Sequence, residues 1–143
     1  MAGAEEEIIQ RVLTNMCVYP GPEAEKALEA VKTEDPLSAL KELYGTDFTD
    51  AAFEDFCNNR YPLNILFAAE EAQCTILLDQ IELLKEASDT DNAYYYNVSF
   101  LLNEEISVTQ KVIVCYENNQ ITKFQLVNND LMSKIIELSS AAE

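Results

Sequence analysis

The chain has 143 residues, the size of one ordinary domain, and its 48% apolar and 24% charged content is that of a globular protein rather than a disordered one. Twenty-six acidic residues face nine basic ones, a formal net charge of −17. Binding phosphates requires clustered Lys and Arg, so this balance excludes a DNA or RNA partner and adsorption to an anionic membrane surface, and it attracts a basic protein or a cationic ligand.

Residues 5–19 read as an amphipathic helix. Ile8, Ile9, Val12, Leu13 and Met16 share one helical face, and Glu5 to Glu7 suit the positive end of the helix dipole. Pro20-Gly21-Pro22 breaks the helix, and Pro22 opens a shorter one marked by Ala24, Ala27, Leu28 and Val31. Asp35-Pro36 is a capping residue followed by a helix-starting proline. The helix it starts has the stripe Leu37, Leu40, Leu43 and Tyr44, and Gly45 ends it. Thr49 or Asp50 caps a fourth helix with Phe53, Phe56 and Cys57 inward, and Pro62 is expected to stop it. Residues 63–72 fit either a short helix or a loop-strand passage.

From Cys74 the period changes. Residues 75–87 suit a long bent strand, and Ser88 to Asn92 a turn. Residues 93–103 form a clear strand: Tyr94, Tyr96, Val98, Phe100 and Leu102 take one face, with Tyr95, Asn97, Ser99 and Leu101 on the other. Asn103-Glu104-Glu105 turns the chain into a strand over 108–116, with Val108, Val112, Val114 and Tyr116 on one side. Asn118-Asn119 is a tight hairpin signal, because Asn tolerates positive φ, and residues 121–127 return as the last strand. Leu131, Met132, Ile135, Ile136 and Leu138 give the tail helical spacing. The order predicts a single α+β domain: an N-terminal helical extension over 1–42, helix plus sheet over 43–127, and a tail or helix over 128–143. Four strands in a row leave a sheet face bare unless the leading helices cover it. A curved sheet wrapped on a helix forms a cone with a cavity at its wide end.

Cys17, Cys57, Cys74 and Cys115 form no CxxC pair, and the chain has no His, which removes the common structural zinc sites and thioredoxin-like chemistry. Two disulfides in any of three connectivities stay open. Four buried thiols acting as small hydrophobes are preferred, since a domain of this size needs no staple. No apolar run approaches the ~20 residues of a membrane-spanning helix. The acidic start reads as cytoplasmic, or as exported if a leader was removed before it.

The block from Leu43 to Val127 resembles the nuclear transport factor 2-like (cystatin-like) α+β cone. The resemblance rests on Leu43-Tyr44-Gly45 and Phe53-Glu54-Asp55-Phe56, on the strands 75–83 and 94–100, and on the hairpin at Asn118-Asn119. It covers 43–127 and is one of element order and turn placement. Members include small exported or lipid-anchored bacterial proteins, ligand binders, and a few enzymes such as steroid isomerases and polyketide cyclases. The resemblance implies a pocket between helix and sheet, and a homodimer joined through the sheet. The chain departs from the family in its extra helices before Leu43 and in lacking His, so the family's His–Asp pairs cannot be completed.

Asp79, Tyr94, Tyr96 and Tyr116 are the candidate ligand-binding residues. By the logic of the steroid isomerases, Asp79 would act as a base if burial raised its pKa, with Tyr94 or Tyr96 donating to an oxyanion. The simpler reading makes Asp79 a solvated strand residue and the tyrosines core, since Tyr94 and Tyr96 share a face with Val98, Phe100 and Leu102. Asp89-Thr90-Asp91-Asn92 opens like a calcium loop, but Tyr94 and Phe100 stand where that loop needs Gly and Glu, so a turn is the better reading. Asn97-Val98-Ser99 fits a glycosylation acceptor by chance, in mid-strand. No residue is assigned a catalytic or metal-binding role and no cofactor is implied. The expectation is a non-enzymatic domain binding a small apolar ligand in its pocket or another protein at its sheet face, with a small isomerase or cyclase as the alternative.

Overall fold

The computed structural model describes residues 4–86, 88–90 and 92–141. Asp91 of the calcium-loop comparison, Ala87 at the expected end of the first strand, and Met1 to Gly3 lie outside them. Helices α1 (Ala4–Cys17), α2 (Pro22–Ala30), α3 (Pro36–Tyr44), α4 (Asp50–Asn58) and α5 (Tyr61–Ala72) precede strands β1 (Ile76–Lys85), β2 (Tyr94–Leu102), β3 (Ile106–Glu117) and β4 (Gln120–Val127), and α6 (Asp130–Ala141) closes the chain. The fold is α+β, with the N-terminal helices packed on a curved, open antiparallel sheet of order β1-β2-β3-β4.

Local chemistry sets the boundaries. The Asp35 carboxylate accepts from the Ser38 amide, and the Thr49 hydroxyl from that of Ala52, at the starts of α3 and α4. Gly45, at φ 59°, ends α3 in a conformation that side chains resist. Asn103 and Glu104 (φ 53° and 65°) and Asn118 and Asn119 (φ 50° and 61°) form the two hairpin turns, both residues of each left-handed as a tight turn requires.

Residues 63–72 are helical, and Pro62 does not end α4. That helix stops at Asn58, and Pro62 sits in the first turn of α5, where its missing N–H costs nothing. α5 is apolar nearly all round because it packs against α1, α2, α4 and α6 at once.

One buried cluster runs from Ile8 to Ile135. The α1 stripe Ile8, Ile9, Val12, Leu13 and Met16 is buried against it, and each such side chain contributes roughly 1.5–3 kcal/mol. The expected strand faces hold: Tyr96, Val98, Phe100, Leu102, Val112 and Val114 are buried, with Tyr94, Val108 and Tyr116 partly so. An aromatic group of Tyr44, Phe48, Phe53, Phe56, Tyr61 and Phe124 fills one end, with ring centroids 4.5–6.3 Å apart.

The two sheet edges differ. On β4, Ile121 donates to the Asp47 carbonyl (2.7 Å) and accepts from the Thr49 amide (3.0 Å), so the 47–49 segment lies along it. Arg11 fixes that segment with two hydrogen bonds, 2.6 and 3.2 Å, to the buried Asp47 carboxylate. On β1, backbone hydrogen bonds among the described residues cover the outer edge at Ile76 alone, by a reciprocal pair with Tyr19 (2.7 and 3.0 Å).

Candidate functional site

Tyr94, Tyr96 and Tyr116 come together on the buried side where β2 begins and β3 ends, toward the β1 side of the sheet from the aromatic group. Tyr94 and Val114 are paired across β2 and β3, as are Tyr96 and Val112, and Tyr116 follows on the same buried side of β3. The Tyr94 and Tyr96 rings stack at 6.4 Å and 13°, and Tyr116 stands edge-on to Tyr94 at 5.0 Å. The hydroxyls of Tyr96 and Tyr116 are 2.9 Å apart, and Tyr116 donates to the Glu5 carbonyl at 3.3 Å. A phenol has one proton, so Tyr96 donates to Tyr116 and Tyr116 to Glu5. This relay fastens the first turn of α1 across the sheet.

Beside it lies a pocket of about 350 Å³, lined by Glu5, Glu6, Ile81, Leu83, Glu86, Tyr94 and Tyr96. Tyrosine rings and leucine and isoleucine side chains form its apolar wall, and three carboxylates its polar one. Sequence reasoning missed Glu5, Glu6 and Glu86: the first two read as acids serving a helix dipole, and nothing local places that helix start against a distant strand.

Asp79 does not join the tyrosines. The β1–β2 register shifts between Leu78 and Gln80, so Asp79 is the extra residue of a β-bulge. Leu78 opposes Phe100 and Ile81 opposes Val98 on the buried face, and the residue inserted between them is exposed. Asp79 is therefore the solvated strand residue of the simpler reading, and its place among the candidate ligand-binding residues is corrected. The isomerase logic loses its base, and the pocket's carboxylates belong to Glu5, Glu6 and Glu86.

All four cysteines are free, and Cys17 and Cys74 are buried. Among the described residues no three Cys, Asp or Glu side chains converge as metal ligands, and no helix is long and apolar enough to cross a membrane.

Burial raises the Tyr116 hydroxyl well above its ordinary value, with Tyr96 and the Glu5 carboxylate adding to the effect. It raises Tyr96 and Tyr94 as well, so the relay is a set of neutral donors rather than phenolates. Burial also pushes up the Tyr44 hydroxyl and the Cys17 thiol, and takes Cys57 to about 11. In each case the folded pKa lies above the unfolded one. The contribution is complete below the unfolded values, 9.0 for the thiols and 10.0 for the phenols, and is lost as pH rises through the folded ones. We expect the urea midpoint to fall steadily above about pH 9. The tyrosinate absorbance of the buried tyrosines should appear only with cooperative unfolding. A midpoint that stays flat to pH 11, or full tyrosine titration in the folded protein, contradicts this.

The chain was compared with known proteins: no protein-family model, no curated protein and no solved structure matches it.

Proposed function

We propose that this protein is a non-enzymatic binding domain on a nuclear transport factor 2-like cone, and that its ligand is a small organic cation with an apolar body. The observation that carries the reading is the composition of the tyrosine pocket: Tyr94 and Tyr96 beside Glu5, Glu6 and Glu86. Aromatic faces attract a desolvated cation by about 0.5–2 kcal/mol each, and the carboxylates and the net charge of −17 add a longer-range pull. An uncharged apolar ligand, the first expectation, would leave three carboxylates unused at the pocket wall. Neutral phenols suit this role, since they offer rings and hydroxyl donors without competing charge.

Native mass spectrometry of freshly purified protein, without reductant, is the first test, because a retained ligand appears as added mass. A titration with butyltrimethylammonium, followed by the Tyr94 and Tyr96 ring signals in NMR, tests the charge. Binding should weaken about tenfold in the Glu5→Gln/Glu6→Gln variant, and again on going from 0.05 to 0.5 M salt. Equal binding of butylsulfonate, or no perturbation of either ring, overturns the proposal.

A further inference from the structure

The uncovered edge of β1, which shares Ile81, Leu83 and Glu86 with the pocket but is read from its backbone, carries a separate inference. In an antiparallel pair, successive residues point their backbone groups alternately toward and away from the partner strand. Ile76 uses its N–H and C=O on Tyr19, away from β2, which fixes the phase. Counting along the register through the bulge, Leu78, Ile81 and Leu83, opposite Phe100, Val98 and Tyr96, also turn their backbone groups to the outer edge. Among the described residues no backbone hydrogen bond reaches that edge beyond Ile76. Three leucines of the same strand, Leu77, Leu83 and Leu84, stay 43–51% exposed.

An open edge with exposed leucines invites another strand, and charge decides which. Asp79, Glu82 and Glu86 lie along or just past this strand, on a chain of net charge −17. A second copy would bring another −17 to the same edge, so the acids that repel self-pairing select a cationic partner. We propose that β1 takes an extended peptide of alternating basic and apolar residues as a fifth strand. Its main chain would pair with Leu78, Ile81 and Leu83, its apolar side chains would lie beside Leu83 on the face of Leu78 and Ile81, and its basic ones would meet Asp79 and Glu82 on the opposite face.

The test is amide hydrogen exchange on the full chain, with and without a capped Lys-Val-Lys-Val-Lys-Val-Lys peptide. Exchange of the Leu78, Ile81 and Leu83 amides should slow about tenfold at saturation, and a Glu-Val peptide of the same length should leave it unchanged. Leu83→Pro removes an outward N–H without touching the β2 pairing, a site where an edge strand tolerates proline. In this variant the slowing at Leu78 and Ile81 should drop below about threefold. If the variant does not fold, the wild-type comparison of the two peptides still decides. The proposal is overturned if no slowing occurs, or if the changes fall on Tyr94 and Tyr96 while the β1 amides are unaffected, which would place lysine in the pocket. It is also overturned if those amides slow with protein concentration alone, which would make a second copy the occupant.

Discussion

Phe56→Ala is expected to cost about 3–5 kcal/mol, a large share of the stability of a domain this size, and to lower the Tm by about 10 °C. Phe56 is 1% exposed. It meets Phe48 at 4.5 Å, Tyr44 at 5.2 Å, Phe124 at 5.3 Å and Tyr61 at 5.8 Å between ring centroids. It thus joins α3, α4, α5 and β4 through one side chain. Removing the ring leaves a cavity whose walls come from four elements, and no single helix can move to fill it without losing contacts elsewhere. Urea denaturation measures the loss. A cost below about 1.5 kcal/mol would mean that the group repacks freely and does not hold this end together.

Gln110→Leu is the second large effect, at about 3 kcal/mol or more. Gln110 is 1% exposed, the lone amide in a row of valines on the buried face of β3. Its nitrogen lies 3.0 Å from the carbonyls of Lys111, Val127 and Asn128, and its oxygen accepts from the Leu131 amide at 3.1 Å. This one side chain satisfies the backbone where β4 ends, where Asn128 turns left-handed at φ 62°, and where α6 starts. Leucine nearly matches its volume but strands an N–H and several carbonyls away from water. The damage should be local first: amide exchange in α6 should speed up more than in α1, because α6 loses its anchor. Uniform acceleration across the chain would show that α6 docks through Leu131 and Ile135 alone.

These effects, with the pocket and edge proposals, divide the molecule by function. Phe56 and Gln110 are each buried and each tie several elements together, and they make the scaffold rigid. The tyrosine end keeps polar groups, an opening and acidic walls, which packing alone does not require. Glu5 helps hold α1 through its backbone carbonyl, which a Glu→Gln change keeps, so replacing the Glu5 and Glu6 carboxylates should change binding and leave the urea midpoint nearly unchanged.

The sequence by itself determined the elements whose signals are local. Asp35 before Pro36, Thr49 before α4, the asparagines at the two hairpins and the alternation from Tyr94 to Leu102 act within a few residues, through capping, positive φ and side-chain period. They were legible for that reason. The alternation of β3 includes Gln110 among Val108, Val112 and Val114, and the pattern alone does not show which backbone groups its amide will satisfy. Pro62 opens α5 instead of stopping α4, and a proline that ends one helix and a proline that starts the next look alike until the packing of α5 is known. Only the tertiary structure decided the site. Asp79 faces solvent by the alternation that turns Ile76 and Leu78 inward, and the bulge after Leu78 then brings Ile81 rather than Gln80 to the pocket side; a bulge has no signal in one strand's sequence, since it depends on the register with its partner. Glu5 and Glu6 reach Tyr94 and Tyr96 because α1 crosses the sheet, a contact between residues about ninety positions apart. Long-range packing chose these neighbours, and local chemistry carries no record of them.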